Sequence, residues 1–349
     1  MLSQIDRQII RSWYTHLVEP RLAPFHSKGP RLTGPRIAVI GNCQAFGLAY
    51  AMKLLDPSAR VSHFSAIAKT LADIKLLAKT LATYDYVFCH EFLHGHVRGG
   101  GSAELCELLD KVIMIPSITF SAFHPDLVYL LDETRGHAPT IGPVGPYHSA
   151  LAVFAFRRGL SVEEAHALFN RNVFEALGYF DVWNDAVNEL VETGKRKFDM
   201  DLSGEIANWS RRGVFMYSLV HPRPFVLFDL AKKFFAHAGL PTPAPINGDY
   251  YAIDDLGRAE IFPIYPPIGE YFGVQGSYTF KLENYHLSSE VGEFVSLPYY
   301  LSECYKIYRR CTQAQLSHPR IEAWLADPAA VGRIITLAGE NLRKGLLPA

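Results

Sequence analysis

Four short apolar runs punctuate the first third of the chain, and a stretch of helical period separates each from the next. The runs cover 37–40, 60–64, 86–89 and 112–115, and β-branched and aromatic residues dominate their apolar positions. Between them the spacing of apolar residues predicts helices over 45–55, 67–83 and 103–109. Runs of this kind alternating with helices mark an open parallel sheet with helices packed on its faces. Ahead of the first run, a short helix is expected over 5–17. It is followed by a lead-in broken by Pro20, Pro24, Pro30 and Pro35.

Beyond about residue 135 the texture changes. A Gly/Pro-rich connection, 136–146, leads into helical patterns at 148–158 and 162–177. Ser161 and Glu164 stand at capping-box spacing before the second of these, where they satisfy the orphan amides of a helix start. Further helices are expected over 224–238, stopped by Gly239, and over 331–342, with short strands and turns between 247 and 280. The expected organisation is a helical lead-in over 1–35, a Rossmann-like α/β core over 36–135 and a mainly helical cap or second lobe over 136–349.

Bulk composition narrows the class. Of 349 residues, 49% are hydrophobic and 20% charged, enough for a substantial core and against wholesale disorder. Thirty-four basic residues balance 35 acidic ones for a net charge of -1, so no global attraction to nucleic acid or anionic membrane is expected. Residues 1–13 carry charges throughout and lack a secretory apolar stretch. The most apolar long segment, 112–131, is interrupted by Pro116, His124, Pro125 and Asp126, which argues against a transmembrane helix. Five cysteines, an odd and sparse set, fit free thiols in a reducing compartment and a cytoplasmic location.

Candidate chemistry centres on Gly41-Asn42-Cys43-Gln44, which ends the first strand and opens the following helix. In open parallel sheets, ligands collect outside the carboxyl ends of the strands. A thiol at a helix N-terminus has its thiolate stabilised by free amides, and the same amides with the Asn42 side chain would hold an oxyanion. The arrangement is that of a nucleophile elbow with sulfur in place of oxygen. The ordinary alternative is a small buried cysteine at a tight turn. A cysteine nucleophile needs a base, and His124, followed by Asp126, is the first candidate because it lies after the fourth strand on the same rim. His148, after a Gly/Pro loop, and His221, before another helix, are further candidates, although each is ordinarily a structural histidine.

His90-Glu91-Phe92-Leu93-His94 matches the pattern of zinc proteases, which requires both histidines on one helical face. Here it follows directly on a strand and runs into Gly95 and Gly99-Gly100-Gly101, so no metal site is expected, although His90 and Glu91 stand on the rim near Cys43. The basic clusters Arg157-Arg158, Lys195-Arg196-Lys197 and Arg211-Arg212 read first as solvated surface. Arg211-Arg212 is the preferred phosphate holder, because Trp209 and Phe215-Met216-Tyr217 flank it with apolar residues suited to an adenine or a sugar. No G-x-G-x-x-G follows the first strand and no Walker loop is present.

Gly41-Asn42-Cys43-Gln44, the stretch Ser121-Ala122-Phe123-His124-Pro125-Asp126-Leu127 and Tyr147-His148-Ser149-Ala150, taken in order, resemble the WcbI-type polysaccharide biosynthesis proteins. Gly178-Tyr179-Phe180-Asp181, the segment 211–217 and Gly276-Ser277-Tyr278 fit the same pattern. The resemblance covers roughly 36–285. It implies an SGNH-like sheet capped by helices and a coenzyme A-dependent acyltransferase, with acyl-CoA as co-substrate and a saccharide as acceptor. Cys43 matches the family's proposed active-site cysteine. The expected catalytic residues are Cys43, His124 and His148; the expected cofactor-binding residues are Asn42, Gln44, Tyr147, Arg211, Arg212 and His221. The rival readings are an esterase or thioesterase using the same sulfur with water, and a non-catalytic glycan- or nucleotide-binding protein.

Overall fold

The computed structural model describes residues 14, 32–67, 73–132, 138–242, 246–283 and 293–348. The helix expected over 5–17 and most of the lead-in lie outside the described residues. The chain divides into two compact units, each assembled from separate segments. The first comprises residues 1–118, 191–205 and 221–256; the second comprises 119–190, 206–220 and 257–349.

The first unit is the expected parallel sheet. Strands β1 (Arg36–Gly41), β2 (Arg60–Ser65), β3 (Tyr86–His90) and β4 (Val112–Ile115) pair in the order β2-β1-β3-β4, every neighbour parallel. Ile37, Ala38, Val39 and Ile40 are fully buried, as a strand covered on both faces requires. At the edge, β2 carries Arg60, Ser62 and His63, polar groups that blunt an unpaired strand flank. Helices α1 (Gln44–Leu55), α2 (Ile74–Leu81) and α3 (Ser102–Leu108) connect the strands. Of the helix expected over 67–83, residues 68–72 lie outside the described residues; α2 opens at Ile74, where extended Asp73 caps it by accepting from the amides of Lys75 and Leu76.

The second unit holds mostly short helices and three two-stranded antiparallel ladders. These are β5 (Leu127–Tyr129) with β8 (Tyr147–Ser149), β6 (Leu131–Asp132) with β7 (Ala138–Pro139), and β9 (Thr279–Lys281) with β10 (Phe294–Ser296). Helix α4 (Ala150–Arg157) starts after Ser149, whose hydroxyl accepts from the Ala152 amide, so His148 sits in β8 rather than at the helix start expected from sequence. The capping box of Ser161 and Glu164 is present, but the expected single helix breaks into α5 (Val162–His166) and α6 (Arg171–Ala176) because Asn170 adopts an extended backbone. Two helices with strongly polar faces, α7 (Val182–Phe198) and α8 (Ser203–Arg211), were not legible as helices. The boundaries between the two units fall within them. Helix α9 (Pro224–His237) belongs to the first unit and α10 (Pro266–Phe272) to the second. Three more proline-opened helices, α11 (Leu297–Tyr308), α12 (Pro319–Ala326) and α13 (Pro328–Arg343), complete the second unit.

Its core is organised around a buried carboxylate. Asp126 Oδ1 accepts from the Leu151 amide at 3.0 Å and the Tyr179 hydroxyl at 2.9 Å, and Oδ2 accepts from Tyr265 at 3.0 Å. Burial pushes its carboxyl pKa up, opposed by these hydrogen bonds and one from Ser149. Asp126→Ala strands three or more buried donors and should cost about 3 kcal/mol or more. Asp126→Asn, which keeps an acceptor oxygen, should cost much less. Urea unfolding checks this, and a loss below about 1 kcal/mol for the alanine variant would contradict it.

Candidate functional site

At the carboxyl end of the sheet, Gly41 closes β1, and Cys43 stands as the N-cap of α1 with its side chain half-buried. Its side chain caps no amide. Asn42 does that work instead: Oδ1 accepts from the Gln44 amide at 3.0 Å and its carbonyl from Ala45 at 3.1 Å. The turn is thus held by Asn42, which leaves the Cys43 sulfur out of the cap. With its oxygen committed, Asn42 has the amide NH2 as its remaining donor.

Two neighbours fix this turn. Gln44 is fully buried, and its side-chain amide makes both bonds to the Ile118 backbone, donating at 2.8 Å and accepting at 3.0 Å. That pair ties the start of α1 to the chain beyond β4. His90, one residue past the Ile40–Cys89 register, packs directly on Gly41: a Cβ there would sit 2.4 Å from His90 Nδ1. Gly41 is therefore required by close approach. The His90 ring is buried, its Nδ1 has no hydrogen-bond partner, and burial lowers its pKa to about 4. The next residue, Glu91, is held by Lys197 at 2.9 Å.

The zinc-protease motif takes no helical form: His90 ends β3, 91–93 are irregular, and His94 pairs with Glu104 at 2.8 Å. Among the described residues no group of three or more His, Cys, Asp or Glu is arranged to hold a metal ion. His221 is buried in the first unit and precedes α9, which packs along α1. Leu227 of α9 occupies the place of a side chain at Gly47, where a Cβ would come within 2.5 Å of it.

His124, Tyr147, His148, Arg211 and Arg212 belong to the second unit. His124 Nε2–H donates to the Phe262 carbonyl at 3.0 Å, while its Nδ1 is buried without a partner. Asp126, next but one in sequence, does not orient it, because that carboxylate accepts from Leu151, Tyr179 and Tyr265. His148 is saturated: Nε2–H donates to Thr140 O at 2.9 Å, so Nδ1 accepts from Tyr308 at 3.0 Å. The Tyr147 hydroxyl accepts from Ser218 at 3.0 Å. Arg211 and Arg212 are exposed, with Arg211 bonded to Asn208. Of the apolar residues expected beside them, Trp209, Phe215 and Met216 are core residues, the first two rings 5.8 Å apart, and Tyr217 is partly buried.

The profile of the polysaccharide biosynthesis enzyme family WcbI matches residues 36–243, more than half of the chain. The chain belongs to the WcbI family. A solved structure of WcbI, described as a novel polysaccharide biosynthesis enzyme, superposes with a TM-score of 0.62 at 16% identity, covering 87% of this chain and 99% of the other. That likeness establishes the shared fold; the WcbI structure is described as native protein without a disulfide bond between CoA and a cysteine. No curated protein matches. As a WcbI-family member the chain is a polysaccharide biosynthesis enzyme, and among its described residues no helix is long and apolar enough to cross a membrane.

Two predictions follow from the geometry of the turn and its histidines. Gly41→Ala overpacks the contact with His90 and should cost about 2 kcal/mol, while in a His90→Ala background the same change should cost clearly less. A double-mutant cycle by urea unfolding measures the coupling, and additive losses would refute the contact. The second concerns pH. Burial lowers the pKa values of His90, His124 and His148 to about 4, below the ordinary value in an unfolded chain. The unfolded chain therefore binds protons first. Stability is complete above about pH 6.5, falls as pH drops toward about 4 and levels off below that, by an amount on the order of 3 kcal/mol per histidine. His124→Gln, which keeps a donor for Phe262, should flatten that slope; an unchanged slope in pH-resolved unfolding would contradict the assignment.

Proposed function

We propose that the protein transfers an acyl group, acetyl in the simplest case, from acyl-CoA to a saccharide hydroxyl in polysaccharide biosynthesis, with Cys43 as the nucleophile. The observation that carries this reading is the position of Cys43: half-buried, at the start of α1, on the carboxyl rim of a parallel sheet. The four other cysteines are poor nucleophiles by environment. Burial raises the thiol pKa values of Cys89, Cys106 and Cys311, and raises that of Cys304 to about 12. The description of the WcbI structure names CoA beside a cysteine, in stating that no disulfide bond joins the two, and this supports CoA as the ligand of such a thiol.

In the proposed reaction the Cys43 thiolate attacks the thioester carbonyl, the bond from carbonyl carbon to CoA sulfur breaks, and CoA leaves as a thiol after taking up the proton lost from Cys43. The saccharide hydroxyl then attacks the acyl-cysteine. A histidine takes the hydroxyl proton and returns it to the departing Cys43 sulfur, leaving an ester and a free thiol. His124 has the chemistry for the proton transfer, since its Nε2–H is committed to Phe262 and Nδ1 keeps an unshared pair. His148 would first have to give up the Tyr308 bond. The NH2 of Asn42 is a donor for the developing oxyanion. Gln44 contributes by fixing the turn. Tyr147, Arg211, Arg212 and His221 remain the proposed residues for holding CoA, the arginines through its phosphates.

Incubation with acetyl-CoA should leave an acetyl group on Cys43, detectable by peptide mass spectrometry. Cys43→Ala should carry none and should release CoA at least about a hundredfold more slowly. CoA should still raise the melting temperature of that variant, because binding to the folded state does not need the sulfur. Undiminished CoA release by Cys43→Ala would overturn the nucleophile assignment, and no thermal shift of the wild type at millimolar CoA would overturn the CoA reading itself.

A further inference from the structure

In the first half of the proposed reaction a proton leaves Cys43 and reappears on the CoA sulfur, and a base must hold it in between. His124 serves the second half, at the saccharide hydroxyl, and lies in the second unit. The unit that holds Cys43 has a buried imidazole of its own, His90, at the last position of β3. His90 is 1% exposed, and its Nδ1 has no hydrogen-bond partner. That atom is the one turned toward the Cys43 turn, 2.4 Å from where a Cβ on Gly41 would stand. Cys43 follows two residues on, no more than about 7 Å from Gly41 between Cα atoms.

The polar groups around the ring are engaged elsewhere. On β4 the register partner of His90 is Ile115, an apolar residue. Cys89, the preceding residue, has its thiol pKa pushed far up by burial and donates to the His90 carbonyl at 3.2 Å, so it keeps its proton. Glu91, the following residue, is held by Lys197 at 2.9 Å. Across the turn, Asn42 Oδ1 accepts from the Gln44 amide, and the Gln44 side chain bonds the Ile118 backbone. Burial alone accounts for the lowered pKa of the ring, about 4, so it is neutral near neutral pH. A neutral imidazole that accepts at Nδ1 carries its own proton on Nε2. Such a nitrogen takes up a proton without first breaking a bond. Gly41 also leaves the way to it clear, since any side chain there would stand against Nδ1.

The geometry points to His90 Nδ1 as the base that takes the proton of the Cys43 thiol, across one water or directly once substrate tightens the turn. The assignment rests on the acyl-transfer reading for its purpose, yet it is tested without it. As the sulfur attacks the thioester carbonyl, its S–H bond breaks and the proton passes to Nδ1, which makes the ring an imidazolium. The negative sulfur beside it favours that charge, so the ring becomes a better base as the thiolate forms. When the bond from carbonyl carbon to CoA sulfur breaks, its electron pair stays on the CoA sulfur. That sulfur takes the proton from Nδ1, CoA leaves as a thiol, and the ring is neutral again. His90 thus serves acylation of Cys43, and the second histidine serves transfer to the hydroxyl.

The test follows alkylation of Cys43 by iodoacetamide across pH, resolved from the other thiols by peptide mass spectrometry, in wild type, His90→Phe and His90→Asn. Phenylalanine keeps a ring against Gly41 without its nitrogens, and asparagine keeps a hydrogen-bonding group that takes no proton. With the ring as base, the wild-type rate should stay nearly level from about pH 8 down to about pH 5. In both variants it should fall with the thiolate fraction, which leaves them at least about tenfold slower than wild type at pH 6. A residue that only packed the turn would change the rate at every pH alike, so profiles of the same shape in wild type and variants would overturn the assignment. A wild-type rate that itself drops about tenfold per pH unit below pH 8 would overturn it whether or not either variant folds. Failure of the acyl-transfer reading shows separately, as no acetyl group on wild-type Cys43 after acetyl-CoA, and leaves a His90-dependent profile standing as evidence for the pair.

Discussion

The arrangement of the Cys43 turn depends on a side chain that is not there. β1 and β3 lie side by side in register, and at their carboxyl ends the His90 ring occupies the space a side chain on Gly41 would need. Because the imidazole fills that hollow, β1 can end abruptly and its chain can turn at once into α1. Asn42 then closes the first amides of the helix, and Gln44 locks the start of α1 to the backbone at Ile118. Three of these four consecutive residues therefore have separate duties in the turn: close approach for Gly41, capping for Asn42 and anchoring for Gln44. The Cys43 side chain takes no part in capping the helix.

Much of this was legible from residue pattern because local and tertiary demands agree there. Buried parallel strands need continuous β-branched apolar runs, and 37–40, 86–89 and 112–115 supply them, so the sheet and its α/β class could be read directly. The sequence reading assigns no element over α11 and α12, both of which open on a proline, a residue well suited to the first turn of a helix. Helix α7 escaped although its apolar residues recur on one face, because the segment is polar on average and closes on a run of basic residues that reads as solvated surface. The split between α5 and α6 follows from one residue, Asn170, whose extended backbone outweighs the propensity around it.

At the candidate site, residue type was informative and residue state was not. The sequence marks His124 and His148 as candidate catalytic groups, Asp126 as the neighbour of His124, and Tyr147 as a candidate cofactor-binding residue. It does not reveal that Asp126 is saturated by two tyrosines and an amide, that His148 is bonded at both nitrogens, or that Tyr147 already receives a hydroxyl from Ser218. These bonds connect positions far apart in the chain, so no local spacing encodes them. The converse holds for His90. Its place in a zinc-protease pattern drew attention to a metal, whereas its position at the end of β3, next in register to Gly41, carries the structural meaning.

Buried polar groups divide by what they have left to give. A group whose donors and acceptors are all paired stabilises the fold, and using it for chemistry first requires breaking a bond in a medium where an unpaired group is costly. A group with an unpaired atom already bears that cost in the folded state. Among the described buried histidines, His90 and His124 each keep a bare Nδ1 and His166 a bare Nε2, His90 beneath the Cys43 turn and the other two in the second unit. Burial keeps the His90 and His124 rings neutral near physiological pH, and a neutral ring with a bare nitrogen is a proton acceptor.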